Sequence, residues 1–106
     1  MNLTCSQYDV VAEAADHGWT ARWQHRLLIL SRRTSTGGTR MAQVLFTDAG
    51  RWWYALTWER GPGVWLGGQF PRFSGTETTP VVMRRRRDLF DHLSQPDLPI
   101  AAMTHV

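Results

Sequence analysis

The most unusual candidate binding feature of this sequence is a run of four arginines, Arg84 to Arg87. A guanidinium group binds carboxylates and phosphates through two parallel hydrogen bonds. On a helix, consecutive residues are about 100° apart, so the four side chains cover most of the circumference. Arg84, Arg85 and Arg87 then point away from the apolar stripe. They predict either a solvated helix face or a face that binds an anionic partner.

Arg86 differs from its neighbours because it lies within the apolar stripe of the same predicted helix, with Leu89 and Leu93. An unpaired buried guanidinium is costly. The side chain must therefore reach a carboxylate, extend to the edge of the buried surface or meet a ligand. We expect an internal ion pair with an acid such as Asp16 or Glu59.

The 6 tryptophans are the second unusual feature, because large amphipathic rings enrich either a core or a binding surface. One parity of a predicted strand is expected to face the core: Trp52, Tyr54, Leu56 and Trp58. Trp53 then lies on the opposite face, where Trp65 and Arg51 can join it. Such a surface suits a protein-binding hot spot or a stacking platform for nucleic-acid bases. Coverage by the C-terminal tail or by a second subunit is the structural alternative.

No spacing of residues in the sequence predicts an assembled catalytic site. The four histidines lack metal-ligand spacing, and the single cysteine, Cys5, has no neighbouring partner. No glycine-rich run resembles a phosphate loop, and His25 is expected to be a structural residue on a strand. We assign no catalytic residue, metal or cofactor. A metal-free ribonuclease using one histidine with arginines stays open, so enzyme activity is undecided but not favoured.

Composition indicates one small folded domain in a reducing compartment. The 106 residues are 42% hydrophobic and 20% charged, with a formal net charge of +3. The lone cysteine allows no internal disulfide, the start lacks the blocks of a signal peptide, and Leu27 to Leu30 is too short to cross a bilayer. We therefore expect a cytoplasmic protein. All 12 basic residues are arginine, as is typical of a GC-rich genome such as that of an actinobacterium or its phage.

Hydrophobic periodicity predicts an α+β fold with the order α-β-β-β-β-α. The predicted elements are a helix over 6–17 capped by Ser6, a strand from Trp19 bent near His25, strands over 40–47, 51–59 and 64–70, and a helix from Pro80 to about Ser94. Short loops, including a three-residue turn over 48–50, favour a four-stranded antiparallel meander with two helices packed on one face. We expect a single domain over 1–95 and an apolar tail over 96–106, packed or frayed.

Two short segments resemble known families. The opening helix ending in Asp16-His17-Gly18-Trp19, followed by strands, resembles HicA-type toxins, which are small RNA-cleaving domains of the double-stranded-RNA-binding kind. The sequence departs from that family's Gly-Ser-His segment, because Gln24 precedes His25, so no catalytic role is carried over. The segment from Trp52 to Leu93 is similar to an uncharacterised streptomycete domain family.

These observations favour a non-enzymatic binding or regulatory protein that docks on a protein partner through an exposed Trp and Arg surface. The expected contact residues are Trp53, Trp65, Arg51, Arg84, Arg85 and Arg87. The first alternative is a nucleic-acid-binding protein that uses the same arginines and the sheet aromatics. A HicA-like toxin ribonuclease is the second. A sheet with one uncovered face also invites formation of a homodimer.

Overall fold

The computed structural model describes residues 3–35, 37–61, 64–66, 72–74 and 77–96. Its elements are α1 (Cys5–Asp16), β1 (Thr20–Gln24), β2 (Leu27–Arg33), β3 (Thr39–Phe46), β4 (Trp52–Arg60), β5 (Val64–Leu66), β6 (Arg72–Ser74), β7 (Val81–Met83) and α2 (Arg86–Ser94). Within these ranges, neither helix has the length and apolar character that a transmembrane span requires. The predicted tail, apart from Pro96, lies outside the described residues.

The main sheet has five antiparallel strands in the order β1-β2-β3-β4-β7, and β5 pairs with β6 in a separate two-stranded sheet. The α+β prediction is therefore confirmed, whereas the four-stranded meander is wrong in its strand count and order. The long first strand is two strands, and the neighbour of β4 is β7 rather than the segment 64–70. Val81 and Val82 pair with β4 as strand residues, so the second helix begins at Arg86 and not at Pro80.

The first helix lies within one residue of its predicted position, but a different residue caps it. The Thr4 hydroxyl accepts a hydrogen bond from the Gln7 backbone N–H at 3.2 Å, and the Thr4 N–H donates to Gln7 Oε1 at 3.0 Å. This reciprocal pair is a capping box. The prediction of Ser6 as the cap is wrong, because Ser6 is already inside the helix. Gly18 follows the helix with φ +79°, a conformation that glycine adopts without strain.

Two tight turns set the register of the sheet. Gln24 pairs with Leu27, so His25 and Arg26 form a two-residue hairpin loop between β1 and β2. His25 has φ 58°, which reverses the chain where a continuous bent strand was predicted. The three-residue turn over 48–50 is confirmed, with Gly50 at φ 77°.

A β-bulge in β4 decides which of its side chains are buried. Leu45 pairs with Tyr54 and Phe46 pairs with Trp52, so Trp53 is the extra, unpaired residue. Side chains change face at this point. Trp52 packs against the core, but beyond the bulge the buried residues of β4 are two others, Ala55 and Thr57. The predicted core position is therefore wrong for Tyr54, Leu56 and Trp58, which lie on the opposite face.

One apolar core joins both helices to a single face of the sheet. Val10 and Ala14 of α1 and Leu89 and Leu93 of α2 are fully buried in it. They pack in one cluster with buried residues of the loop and sheet: Trp19, Leu28, Leu30, Ala42, Val44, Phe46 and Ala55. The strand members share one face because paired residues in an antiparallel sheet point to the same side.

Candidate functional site on the open face of the sheet

The face of the main sheet opposite the helices, here called the open face, has apolar side chains on β2, β3, β4 and β7 and polar ones on β1. Its large apolar side chains are Leu27, Ile29, Met41, Leu45, Tyr54, Leu56, Trp58 and Val82. The first seven are half-buried, and Val82 is 48% exposed. One row of paired residues crosses all five strands, from Arg22 through Ile29, Gln43 and Leu56 to Val82. The open face is thus a continuous surface from β1 to β7.

Only cations carry charge on the open face of the main strands. Arg22, Arg33 and Arg60 have this orientation, and none of the five strands of the main sheet directs a carboxylate to this side. Arg60 is held by Glu77, which forms an isolated bridge with it and accepts from its Nε at 2.5 Å. Arg22 and Arg33 are exposed. The open face therefore combines an apolar centre with a net positive rim.

Trp53 lies at one end of the open face, as the predicted exposed tryptophan. Its side chain is 57% exposed, and its ring packs edge to face on Tyr54 with the ring centroids 5.0 Å apart. Because Tyr54 points to the open face, this contact places Trp53 beside the apolar surface. Geometries of this kind are favourable for aromatic pairs.

The structure describes the side chains of all the other expected contact residues except Trp65. Arg84 follows β7, and its carbonyl oxygen accepts a hydrogen bond of 2.8 Å from the Trp52 indole, so the arginine run starts next to the bulge that carries Trp53. Arg84, Arg85 and Arg87 are exposed, but the predicted helix face is wrong for Arg84 and Arg85, which precede α2. Arg51 is also exposed and directly precedes β4. Trp65 belongs to β5, and its side chain is outside the described part of the chain.

Arg86 has a different partner from the two acids expected. Its Nη1 lies 3.6 Å from Asp9 Oδ2 of α1, and its guanidinium lies 5.7 Å from the centroid of the Phe90 ring. The side chain is 44% exposed. The expected ion pair therefore exists, but with Asp9 rather than Asp16 or Glu59, and it joins the two helices near the surface.

Among the arginines whose side chains the structure describes, Arg40 is the buried one, and it was not predicted from the sequence. Arg40 is 5% exposed and donates hydrogen bonds to the carbonyl oxygens of Gln95 at 2.8 Å and His92 at 3.0 Å. Carbonyl groups at the end of a helix have no partner within it, so the guanidinium satisfies the end of α2. The alternation of β3 contained the signal, because Arg40 has the parity of Ala42 and Val44, which are buried.

Trp19 and His92 complete this buried polar cluster. The Trp19 indole donates to the Leu93 carbonyl oxygen at 2.9 Å, and the guanidinium groups of Arg32 and Arg40 lie 5.2 and 5.5 Å from the Trp19 ring. Burial, followed by the positive charges of Arg40 and Arg32, lowers the pKa of His92 to about 4. The cluster holds the C-terminal end of α2 against the sheet and keeps His92 neutral at physiological pH.

The other histidines give no assembled reaction centre within the described residues. His17 Nε2 lies 3.2 Å from Glu13 Oε1 on the same helix, and His25 is exposed in the β1–β2 turn. The described ranges contain no group of three His, Cys, Asp or Glu side chains with metal-binding geometry. Among the described residues, the open face is therefore the best candidate for a functional site. Comparison with protein-family models, curated proteins and solved structures finds no significant match to this chain.

Proposed function

We propose that this chain is a non-enzymatic binding module that docks on a protein partner through the open face and Trp53. The observation that supports the proposal is the continuous apolar surface from Leu27 on β2 to Val82 on β7. The apolar side chains at the centre of this face are only half-buried, so they keep apolar area that a partner can cover, and contiguous apolar area on a surface marks sites of interaction. Trp53 adds a protruding aromatic side chain of the type that dominates protein-binding energy.

The chemistry of the open face favours a protein over a nucleic acid. Surfaces that bind single strands depend on aromatic rings for base stacking and on cations for the phosphates. Here two aromatic rings, Tyr54 and Trp58, share the face with five aliphatic side chains and one methionine. An apolar centre surrounded by polar groups is the anatomy of a protein interface.

Charge defines the partner further. Because Arg22 and Arg33 are exposed at the rim and the five main strands direct no carboxylate to this face, two copies packed face to face would bring cations together. A partner with apolar side chains framed by Asp and Glu complements the same surface. An acidic protein is therefore favoured over a second copy of this chain.

Two matched variants test the docking surface. Leu56→Arg places a charge at the centre of the open face, whereas Tyr8→Ala alters a side chain of α1 that is 63% exposed. The partner is first captured from the source cell extract with wild-type protein, then purified, and its affinity is measured by calorimetry. We expect Leu56→Arg to weaken binding at least tenfold and Tyr8→Ala to leave it unchanged. Equal binding by a folded Leu56→Arg variant, or weakening of the same size in both, contradicts the proposal.

A nucleic-acid-binding function is the second candidate, favoured by the position of the arginine run. Arg84, Arg85 and Arg87 are exposed, and the run begins beside the bulge that carries Trp53. Phosphate binding by arginines weakens steeply as salt rises. A gel-shift titration with mixed DNA and RNA at two salt concentrations tests this function, with the Arg84→Gln, Arg85→Gln double variant as the comparison. Absence of a shift at low salt removes this candidate.

A further inference from the structure

The outer edge of β1 is a second candidate binding surface, which adjoins the open face and shares Arg22 with it. All five residues of β1 are exposed, and β1 is the terminal strand of the main sheet, paired only with β2. Among the described residues, no hydrogen bond reaches its outer side. Free backbone N–H and C=O groups along a sheet edge form a template for another strand.

The opposite edge of the sheet differs from β1 in ways that limit pairing. β7 has three residues, begins directly after Pro80 and leads within three residues into α2. Short strands and prolines are common protections of sheet edges. β1 has neither a proline nor a bulge, and its register with β2 is regular over its full length. Of the two edges, β1 is the one suited to receive an added strand.

A cavity lies beside the C-terminal end of β1. The Trp19 N–H donates to the Ala14 carbonyl oxygen at 2.9 Å, so the end of α1 meets the start of β1. At the other end of the strand, a cavity of about 530 Å³ is lined by Leu3, Gln7, Trp23, His25 and Arg26. Residues near the start of α1 therefore lie beside the end of β1.

The side chains around β1 define the chemistry of the added strand. Trp23 points to the helix side and is 37% exposed, and Leu3 is 38% exposed, so the cavity accepts an apolar side chain. Arg22 points to the other side of β1. Neither β1 nor the described lining of the cavity contains a carboxylate. Since neighbouring residues of a strand point to opposite faces, the complementary segment alternates an apolar residue with acidic ones.

A second copy of β1 is a poorer occupant than an acidic segment. In the antiparallel register that pairs all five residues of two β1 strands, Arg22 lies directly opposite its own copy. Like charges at directly opposed positions destabilise a sheet pair. The strand is therefore better matched to a foreign chain than to itself.

The geometry points to strand addition at β1: an extended segment of another protein, with an apolar residue flanked by Asp or Glu, pairs with β1 and places its apolar side chain in the cavity beside Trp23. Backbone hydrogen bonds provide affinity in this mode of recognition, and the alternating side chains provide specificity. The position of Arg22 sets the charge preference, and Trp23 with Leu3 sets the apolar one.

A displayed library of random heptapeptides is the probe, selected separately against wild-type protein and against Arg22→Glu. Wild type is expected to enrich an apolar residue flanked by acidic residues, and Arg22→Glu is expected to enrich Lys or Arg at the flanking positions. Arg33→Glu, which changes an exposed arginine of β2, is the matched control and keeps the wild-type pattern. No enriched pattern with wild type, or the same pattern with folded Arg22→Glu, overturns the proposal.

Two further readouts separate this site from the open face. A selected peptide is expected to slow amide hydrogen exchange in β1 and to leave β7 unchanged. Leu56→Arg, which tests the open face, keeps the selected pattern, whereas Trp23→Ala loses the apolar preference. Slower exchange in β7 but not in β1, or loss of the pattern in Leu56→Arg, also rejects strand addition at β1.

Discussion

The indole nitrogen of Trp52 donates a hydrogen bond of 2.8 Å to the carbonyl oxygen of Arg84. This contact ties the start of β4 to the segment between β7 and α2. It also separates the roles of two consecutive tryptophans, because the bulge turns Trp53 outward while Trp52 packs against the core. Trp52 thereby holds in place the part of the surface that Trp53 presents.

Replacing Trp52 by phenylalanine removes this hydrogen bond and keeps an aromatic ring at the core. We expect Trp52→Phe to lower the free energy of unfolding by about 1 kcal/mol, the usual net value of one hydrogen bond, with some additional loss from the smaller ring. Trp53→Phe is the control, because the Trp53 indole is exposed and the edge-to-face contact with Tyr54 is retained. Urea denaturation measures both, and equal losses would contradict the assigned roles.

The helix cap predicts a difference between two hydroxyl residues at the start of α1. Thr4 accepts from the Gln7 N–H and also donates to the Gly50 carbonyl oxygen at 2.5 Å, so Thr4→Ala is expected to cost about 1 kcal/mol or more. Ser6→Ala is expected to change the stability by a few tenths of a kcal/mol at most. Thermal unfolding of the two variants tests the difference. A larger loss of stability in Ser6→Ala than in Thr4→Ala would identify Ser6 as the cap.

The buried guanidinium of Arg40 predicts a strong effect on the end of α2. Arg40→Met keeps the aliphatic stem but leaves the Gln95 and His92 carbonyl oxygens without these donors, which is expected to cost about 2 kcal/mol or more. Arg33→Met on the open face is the matched control and is expected to be nearly neutral. Denaturant titration measures both variants. Similar stability of the Arg40 and Arg33 variants would refute the structural role of Arg40.

The lowered pKa of His92 predicts a specific pH dependence of stability. Because the folded value is about 4 and the ordinary value is 6.5, the unfolded chain binds the proton more readily. The contribution of neutral His92 to the free energy of unfolding is complete above pH 6.5, and it falls as the pH drops from 6.5 toward 4. The difference in melting temperature between wild type and His92→Gln is therefore expected to shrink or change sign across this range. A difference independent of pH would contradict the shift.

Several local features were predictable from the sequence because local chemistry determines them. A helical period followed by Gly18 located α1 to within one residue, but the predicted apolar face of Tyr8, Val11, Ala12 and Ala15 is wrong in part, because the fully buried residues are Val10 and Ala14 and Tyr8 is 63% exposed. Asp48-Ala49-Gly50 predicted the β3–β4 turn, since glycine adopts positive φ without strain. Exposure of Trp53 and of three arginines in the run Arg84 to Arg87 also agrees with the prediction.

Other features were beyond pattern analysis because they depend on pairing between distant segments. A single bulged residue at Trp53 reverses the parity of β4, and strict alternation from Trp52 to Trp58 contains no sign of it. Val81 to Met83 follow a helix-start signal at Thr79-Pro80, yet β4 recruits them as an edge strand. The partner of Arg86 required the relative position of the two helices, which placed Asp9 within reach.

The sequence by itself determined the α+β class, the first helix, the β3–β4 turn and an excess of tryptophan and arginine for recognition, because periodicity and turn chemistry act over a few residues. Only the tertiary structure decided that Leu56 and Trp58 line the open face, that Arg40 is buried and that β1 is an edge strand of the main sheet. These properties follow from strand register and from contacts between segments far apart in the chain. The preferences of individual residues for helix, strand or turn do not predict these properties.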